Sequence, residues 1–285
     1  MPLLHIAVVA IVQGITEFLP ISSSGHLILA WQALEQGTGQ PVPPEAQQLV
    51  MDISVHVGTL GAVMAYLWRE IWLILRGLGL AVRGRPSPGL KLLGLLALAT
   101  IPVIIGGLLL DVFVGTALRT AEVIGWAFIV FGLLLYVVDR ISLTVKRMEH
   151  FGIGSALFVG FSQVLALIPG TSRAGITMTA ARMLGYERVD SARFSMLLSI
   201  PTIIAAGGLA GYKIYKSENA SLGFDALLGA ALSFVVAFLA ILAMMSWLRR
   251  ASFTPFVIYR LIFGVFLLAV FYGALKDQLP WLTLQ

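Results

Sequence analysis

The chain has 285 residues, 59% of them hydrophobic and only 12% charged, with no cysteine and a formal net charge of +5. A soluble domain carries roughly a quarter charged residues, so this composition, with a mean hydropathy of +0.94, excludes a soluble globular protein and points to a polytopic membrane protein. The lack of cysteine removes disulfides and thiolate metal sites, and the positive balance sits in short connections, as membrane topology rather than nucleic-acid binding requires.

The first apolar region, about 3–34, has no basic flank before it and no small-residue cleavage site after it, so no removable leader is expected. The polar run QGITEFLPISSSGHLIL at 13–29 interrupts it, and the whole reads as a helical hairpin that enters and leaves the bilayer on one side. The Pro-rich stretch 35–48 reads as an exposed loop. Apolar runs near the ~20 residues that a spanning helix needs fall at 49–68, 92–110, 122–138, 192–212, 222–247 and 256–274. After the first of them, Arg69, Arg76, Arg83 and Arg85 lie among Trp and Leu, as in a helix resting at the interface. A second interrupted region, about 151–185, carries IPGTSRAGITMTAAR at 168–182 and reads as a second hairpin.

The connections 69–91, 139–150, 182–193 and 249–250 hold 13 of the 19 Lys and Arg residues. Placing them together on the cytoplasmic side makes 49–68, 122–138 and 222–247 run inward and 92–110, 192–212 and 256–274 run outward. Both ends of the first hairpin then lie outside and both ends of the second inside. The expected fold class is all-α integral membrane: six transmembrane helices plus two re-entrant helical hairpins in an inverted-topology repeat. The first repeat is 1–138 and the second 150–274, within a single membrane domain, 1–285. Pro20-Ile21-Ser22-Ser23-Ser24-Gly25 aligns weakly with Pro169-Gly170-Thr171-Ser172-Arg173-Ala174-Gly175. Inverted repeats with broken helices are the architecture of many secondary transporters, so topology alone speaks for transport as much as for catalysis.

Ionisable groups at membrane depth are costly and mark functional sites, and broken backbone there must be satisfied by protein or water. Gln13 and Glu17 are four residues apart and share a helix face, offering oxygen ligands to a hard cation such as Mg²⁺ or Ca²⁺. After Pro20, Ser22, Ser23, Ser24 and Gly25 form a hydroxyl-rich turn, and Ser23 three residues before His26 sets a nucleophile near a general base. The plainer alternative is that the serines only cap a helix. Gly170, Thr171 and Ser172 open a helix whose free N–H groups suit phosphate, and Arg173 adds a planar fork for its oxygens. Here the plainer alternative is that Arg173 neutralises Glu17. Thr177 and Thr179 are expected to bond within their own helix.

Other polar residues read more simply. Asp52 and His56 mark a solvated helix end, Asp111, Glu122 and Asp139 mark span ends, and Arg188 and Arg193 serve topology. Tyr259 and Arg260 read as an interfacial anchor. Trp68, Trp72, Trp247 and Trp281 suit interfacial belts, and Gly207 with Gly211 suits close helix packing. A carboxylate, hydroxyls, His and Arg in a membrane cavity fit phosphoryl chemistry, which relies on positioning and charge neutralisation.

At Gln13, Glu17, Pro20, Ser22, Ser23, Ser24, Gly25 and His26, and again at Pro169, Gly170, Ser172, Arg173 and Gly175, the chain resembles the bacterial undecaprenyl-diphosphate phosphatase family of the bacitracin-resistance type. The segment SARFSMLLSIP at 191–201 is similar to that family too. Gln13 stands where many members carry Glu, which leaves Glu17 as the main anionic ligand. The resemblance implies hydrolysis of undecaprenyl diphosphate to undecaprenyl phosphate in the bacterial inner membrane, recycling the carrier of cell-wall polymers, with a divalent cation, Mg²⁺ or Ca²⁺, as cofactor. It implies that Glu17 acts as metal ligand, with Gln13 beside it, or as acid/base group. Ser23 or His26 would be nucleophile or activator, and Arg173 the diphosphate clamp. Gln13, Ser22, Ser24, Gly25, Thr171 and Ser172 would surround the head group. Attack by Ser23 with His26 as base, by His26 itself, or by water held at the cation all stay open, with the first expected. Expected partners are the polyprenyl diphosphate and membrane lipid, with a homodimer allowed and no nucleic acid. The tail should stay in lipid through a lateral opening, with access from the outer, periplasmic side. A secondary transporter or polyprenyl-phosphate flippase is the alternative.

Overall fold

The computed structural model describes residues 1–37, 43–113, 118, 120–216 and 223–273. Among them the regular elements are all helices, as expected where long apolar segments must satisfy their own backbone. The first interrupted region is α1 (Leu3–Thr16), a turn, and α2 (Ser23–Gly37); α3 (Glu45–Tyr66), α4 (Trp68–Ala81), α5 (Pro88–Phe113) and α6 (Ala121–Ile141) follow. The second is α7 (Ile153–Val164), a short 3₁₀ turn at Leu165–Leu167, and α8 (Arg173–Met183), followed by α9 (Arg188–Lys216), α10 (Gly223–Leu248) and α11 (Thr254–Phe271). Six of these, α3, α5, α6, α9, α10 and α11, are long and apolar enough to cross a membrane. The chain is an all-α, multi-pass membrane protein.

Local chemistry sets the boundaries. Thr120 caps α6 by accepting from the Val123 N–H at 3.2 Å, and Ser87 accepts from the Leu90 N–H at 3.2 Å ahead of α5. Pro255 sits in the first turn of α11, where a missing N–H costs nothing. The expected loop at 35–48 is shorter than its composition suggests. α2 continues to Gly37, and α3 opens at Glu45 because Glu45, Ala46, Gln47 and Gln48 are good helix formers. Residues 38–42 of that loop, and Trp281, lie outside the described residues. The segment expected at the interface forms α4, ending at Ala81 rather than 85, with Trp68 and Trp72 about 60% exposed.

The two halves of the chain interlock. α1 packs on α10, α7 packs on α5, α3 meets α9, and α6 lies along α11. The tightest of these seams is α3 against α10, where a side chain at Gly58 would run into the Ala230 carbonyl. The expectation of close packing at Gly207 is not met: a Cβ there would face open space. Asp139 lies at the end of a span, in the last turn of α6, but is not solvated there. It is 4% exposed and accepts from Arg182 Nε at 3.2 Å, Arg188 Nε at 2.7 Å and the Phe253 N–H at 3.3 Å. Arg193 pairs with Glu70 and Asp190. Arg188 and Arg193 therefore tie helices together beyond any role in topology, because a charge held near buried surface requires a partner.

Gly58→Val should destabilise the protein by about 1–3 kcal/mol or more, the range for overpacking a tight seam, read as a lower melting temperature in detergent. Gly79→Val, where a Cβ meets nothing, should lower it far less.

Candidate functional site

Two backbone irregularities define the site. Ser22 and Ser172 are the described non-glycine residues with positive φ, at 74° and 71°. Each stands immediately before a helix, α2 or α8. That shared geometry makes Ser22 the counterpart of Ser172, one residue off the register that aligned Pro20 with Pro169. Matched on this geometry, Ser23 and Arg173 are the first residues of their helices. The same match pairs Gln13 with Gln163, both 0% exposed. Ser172 caps α8 by accepting from the Gly175 N–H at 3.0 Å, and Gly170, at φ 94°, lies where a Cβ would meet the Ile124 carbonyl at 2.6 Å, so only glycine fits this turn against α6.

Both turns end helices, and so leave buried carbonyls without helical partners. Arg260 of α11 takes them up. Its Nη1 donates to the Pro20 carbonyl at 3.2 Å and the Thr171 carbonyl at 2.9 Å, and its Nη2 to Gly170 and Ala127, each at 3.0 Å. Its Nε donates to Phe128 at 3.1 Å. All five guanidinium donors are thus spent on main chain, and Arg260 is 0% exposed. It is not an interfacial anchor, as its place at the start of a span suggested; it clamps the two turns together.

Ser23 and Arg173 then converge on Glu17, just past the end of α1 and 6% exposed. Arg173 Nη2 donates to Glu17 Oε1 at 3.1 Å and Nη1 to the Ser195 carbonyl at 3.1 Å. Ser23 Oγ donates to Glu17 Oε2 at 2.7 Å, and Gln13 Nε2 donates to the same oxygen at 3.0 Å. Glu17, Ser22, Ser23, Ser24, Ser172 and Arg173 line a cavity of about 300 Å³, whose other walls come from α3 and α9, including Asp52, His56, Ile203 and Gly207. Thr177 and Thr179 bond to main-chain oxygens of their own helix at 2.7–3.2 Å, as expected, and Thr177 also meets Ser195 Oγ at 2.7 Å.

Several expected site residues lie elsewhere. His26 does not reach Ser23. Its Nδ1 is 2.6 Å from the Ser22 carbonyl and its Nε2 is 2.5 Å from the Tyr259 hydroxyl. It borders a separate apolar groove with Ile15, Leu19 and Phe256 and stacks on Phe263. The reason is helical geometry: the third position after Ser23 points around α2 toward α11. Gly25 packs against α6, where a Cβ would meet Phe128 at 2.9 Å, and Thr171 is fully buried, offering its carbonyl to Arg260. Neither lines the cavity. Conversely, Asp52 and His56 are not a simply solvated helix end: both face the cavity, with Trp31 Nε1 donating to Asp52 at 3.0 Å.

A cation is tested by the donor set. Among the described residues no three His, Cys, Asp or Glu side chains are close enough to cage an ion. Glu17 supplies one carboxylate; Gln13 does not itself line the cavity, but its Oε1 is a buried amide oxygen without a hydrogen-bond partner. Such a set fits a hard cation that takes its remaining ligands from phosphate and water.

Arg260→Met should lower stability by several kcal/mol, since each orphaned buried carbonyl costs roughly 1–3 kcal/mol. Arg260→Lys should recover only part, because a single ammonium cannot span five acceptors. Melting curves of the two variants in one detergent check both statements.

The comparisons with known proteins converge on one family. The model of the family described as bacitracin resistance protein BacA matches residues 6–266. The chain is 48% identical to undecaprenyl-diphosphatase 1 of Rhodospirillum rubrum, over 99% of this chain and all of that protein. It is 50% identical to an undecaprenyl-diphosphatase of Ruegeria pomeroyi and 48% to one of Jannaschia sp., each over 96% of this chain and the full length of the relative. With the family model covering nearly the whole chain, the protein belongs to the bacitracin resistance protein BacA family.

Proposed function

We propose that this protein hydrolyses undecaprenyl diphosphate to undecaprenyl phosphate and inorganic phosphate in the bacterial inner membrane, recycling the lipid carrier of the cell wall. The observation that carries this reading is the Ser23 hydroxyl donating to one oxygen of Glu17 while Arg173 holds the other. These contacts support Ser23 as nucleophile, Glu17 as its proton acceptor and Arg173 as the phosphate-binding cation.

When the head group enters, the Arg173 fork exchanges Glu17 for phosphate oxygens, which it binds in bidentate fashion. Ser23 Oγ attacks the terminal phosphorus and passes its proton to Glu17 Oε2. The Oγ–P bond forms as the bond from phosphorus to the bridging oxygen breaks, and that oxygen leaves with the electron pair as undecaprenyl phosphate. Water then adds to phosphorus, the Oγ–P bond breaks, and Glu17 returns its proton to Oγ as dihydrogen phosphate departs. A divalent cation, Mg²⁺ or Ca²⁺, bound by Glu17 and Gln13 Oε1 would neutralise charge on the diphosphate. Ser22, Ser24 and Ser172 offer hydroxyls to the same head group. Glu17 replaces His26 as the base for Ser23, since both His26 nitrogens are engaged elsewhere.

Several observations support the remaining expectations. The cavity is lined by the N-terminal half of α3 and the C-terminal half of α9, both outer ends in the orientation derived from basic residues, so access is from the periplasmic side. Leu49, Ile53, Ile203 and Ala206 give the cavity an apolar part beside its polar cluster, a surface suited to the start of the prenyl tail. The paired helix breaks and interlocked packing support two re-entrant hairpins in an inverted repeat.

Purified protein should release phosphate from undecaprenyl diphosphate, lose that activity to a chelator, and regain it with Mg²⁺ or Ca²⁺; a folded, lipid-loaded sample that releases none overturns the reading in favour of transport. Glu17→Gln, Ser23→Ala and Arg173→Ala should each cut the rate roughly a hundredfold to a thousandfold, whereas His26→Gln should cost far less. Ser172→Cys should react with an impermeant thiol reagent from the outer side; reaction from the inner side alone contradicts the orientation.

A further inference from the structure

The cavity wall opposite Ser23 holds a group to which neither the resemblance nor the mechanism gives a role. α3 presents His56 there, its side chain 33% exposed. Its Nδ1 lies 2.6 Å from the Asp52 carbonyl, and a carbonyl only accepts, so the proton sits on Nδ1. In the neutral ring the other nitrogen, Nε2, then carries a lone pair. That lone pair finds no hydrogen-bond donor among the described residues; it faces Glu17 Oε2 at 3.8 Å, beyond hydrogen-bond range.

Two acceptors therefore confront each other across a gap, an arrangement that is repulsive unless something positive lies between them. A third acceptor belongs to Gln13, one helical turn before Glu17. Gln13 Oε1 is buried without a partner, while the Nε2 of the same amide donates to Glu17 Oε2. With metal–ligand bonds of about 2.1 Å, donors this far apart subtend roughly 130° at a shared ion, within reach of ordinary coordination. A histidine ligand that donates its second N–H to a backbone carbonyl is also the usual way such a ring is oriented.

We infer that His56 Nε2 joins Glu17 as a ligand of a divalent cation in this cavity. An imidazole nitrogen in an otherwise oxygen donor set shifts preference from Ca²⁺ toward Mn²⁺, Co²⁺ and Zn²⁺. The inference deepens the phosphatase reading and rests on it for the phosphate oxygens that complete the coordination, but binding of the ion is measurable without substrate. An imidazolium bridging to Glu17 fills the same gap with a proton instead of a metal, and that is the competing outcome.

The test uses the whole protein in detergent with Mn²⁺ as the probe and no lipid substrate. Pulsed EPR of the bound Mn²⁺ should show modulation from one imidazole ¹⁴N. In His56→Gln the modulation should vanish and Mn²⁺ affinity should fall about tenfold, with Ca²⁺ affinity little changed; in His26→Gln both should persist. Should His56→Gln fail to fold, loss of the same signal in Glu17→Gln serves as the second variant. Mn²⁺ bound without nitrogen modulation, modulation that survives in His56→Gln, or no Mn²⁺ binding at all overturns the inference. Phosphate release on the same samples separates the two readings: a protein that binds Mn²⁺ through nitrogen but releases no phosphate refutes the phosphatase alone, and one that releases phosphate without a nitrogen signal refutes the ligand alone.

Discussion

One guanidinium holds this structure's chemistry together. Two helices break inside an apolar protein, and each break strands carbonyls that no water reaches. Arg260 answers with five N–H groups in one plane, and its five acceptors come from both breaks and from α6. Burying an arginine without a carboxylate is costly. Here the negative ends of aligned carbonyls, and the Phe128 ring 5.5 Å away, stand in for a counter-charge. The spatial relation of the two turns follows from that planarity. With both turns pinned to the same group, the helices that leave them start side by side, and their first residues reach one carboxylate.

Glu17 is correspondingly over-subscribed. Its two oxygens receive Arg173, Ser23 and Gln13, while His56 looks on from α3. Such a network fixes the carboxylate from several sides at once, and positioned groups are what preorganised catalysis requires. It also defines what a ligand must do. An incoming diphosphate cannot simply add to the cluster; it has to compete with Glu17 for Arg173. On the proposed mechanism the ion pair is a placeholder for the incoming anion, and the two plain alternatives for Arg173, counter-ion and phosphate clamp, become successive states of one residue.

The legibility of this arrangement in the sequence divides along physical lines. The six spans were readable because the requirement for about twenty apolar residues is local, and α6, expected at 122–138, runs Ala121–Ile141. The two polar interruptions were readable because a carboxylate and an arginine have no cheap place in lipid-compatible sequence. What failed was direction. Ser23 and His26 looked like partners by spacing, yet spacing ignores which way α2 faces, and the imidazole turned toward Tyr259 instead. His56 and Arg260 each sit near the end of an apolar run, where a wetted or anchoring residue is the ordinary explanation. Only the contact of α3 with α1 and of α11 with α6 decides otherwise, and no stretch of sequence encodes those neighbours. The one-residue difference between the two ways of pairing the turns has the same root: Pro20 and Pro169 are conspicuous letters, whereas the positive φ shared by Ser22 and Ser172 leaves no mark in them.

The Arg260–Pro20 bond spans 240 residues of chain. Its length has a temporal meaning. As the polypeptide enters the bilayer, α1 and its broken end arrive first, long before α10, on which α1 rests, and before α11, which carries the arginine. Through most of synthesis the first turn therefore waits with its carbonyls unmet and its carboxylate without Arg173, held by whatever water or lipid head group accompanies it. Such a fold cannot mature half by half. Its two turns gain their shared clamp only when α11, the last helix described, has docked.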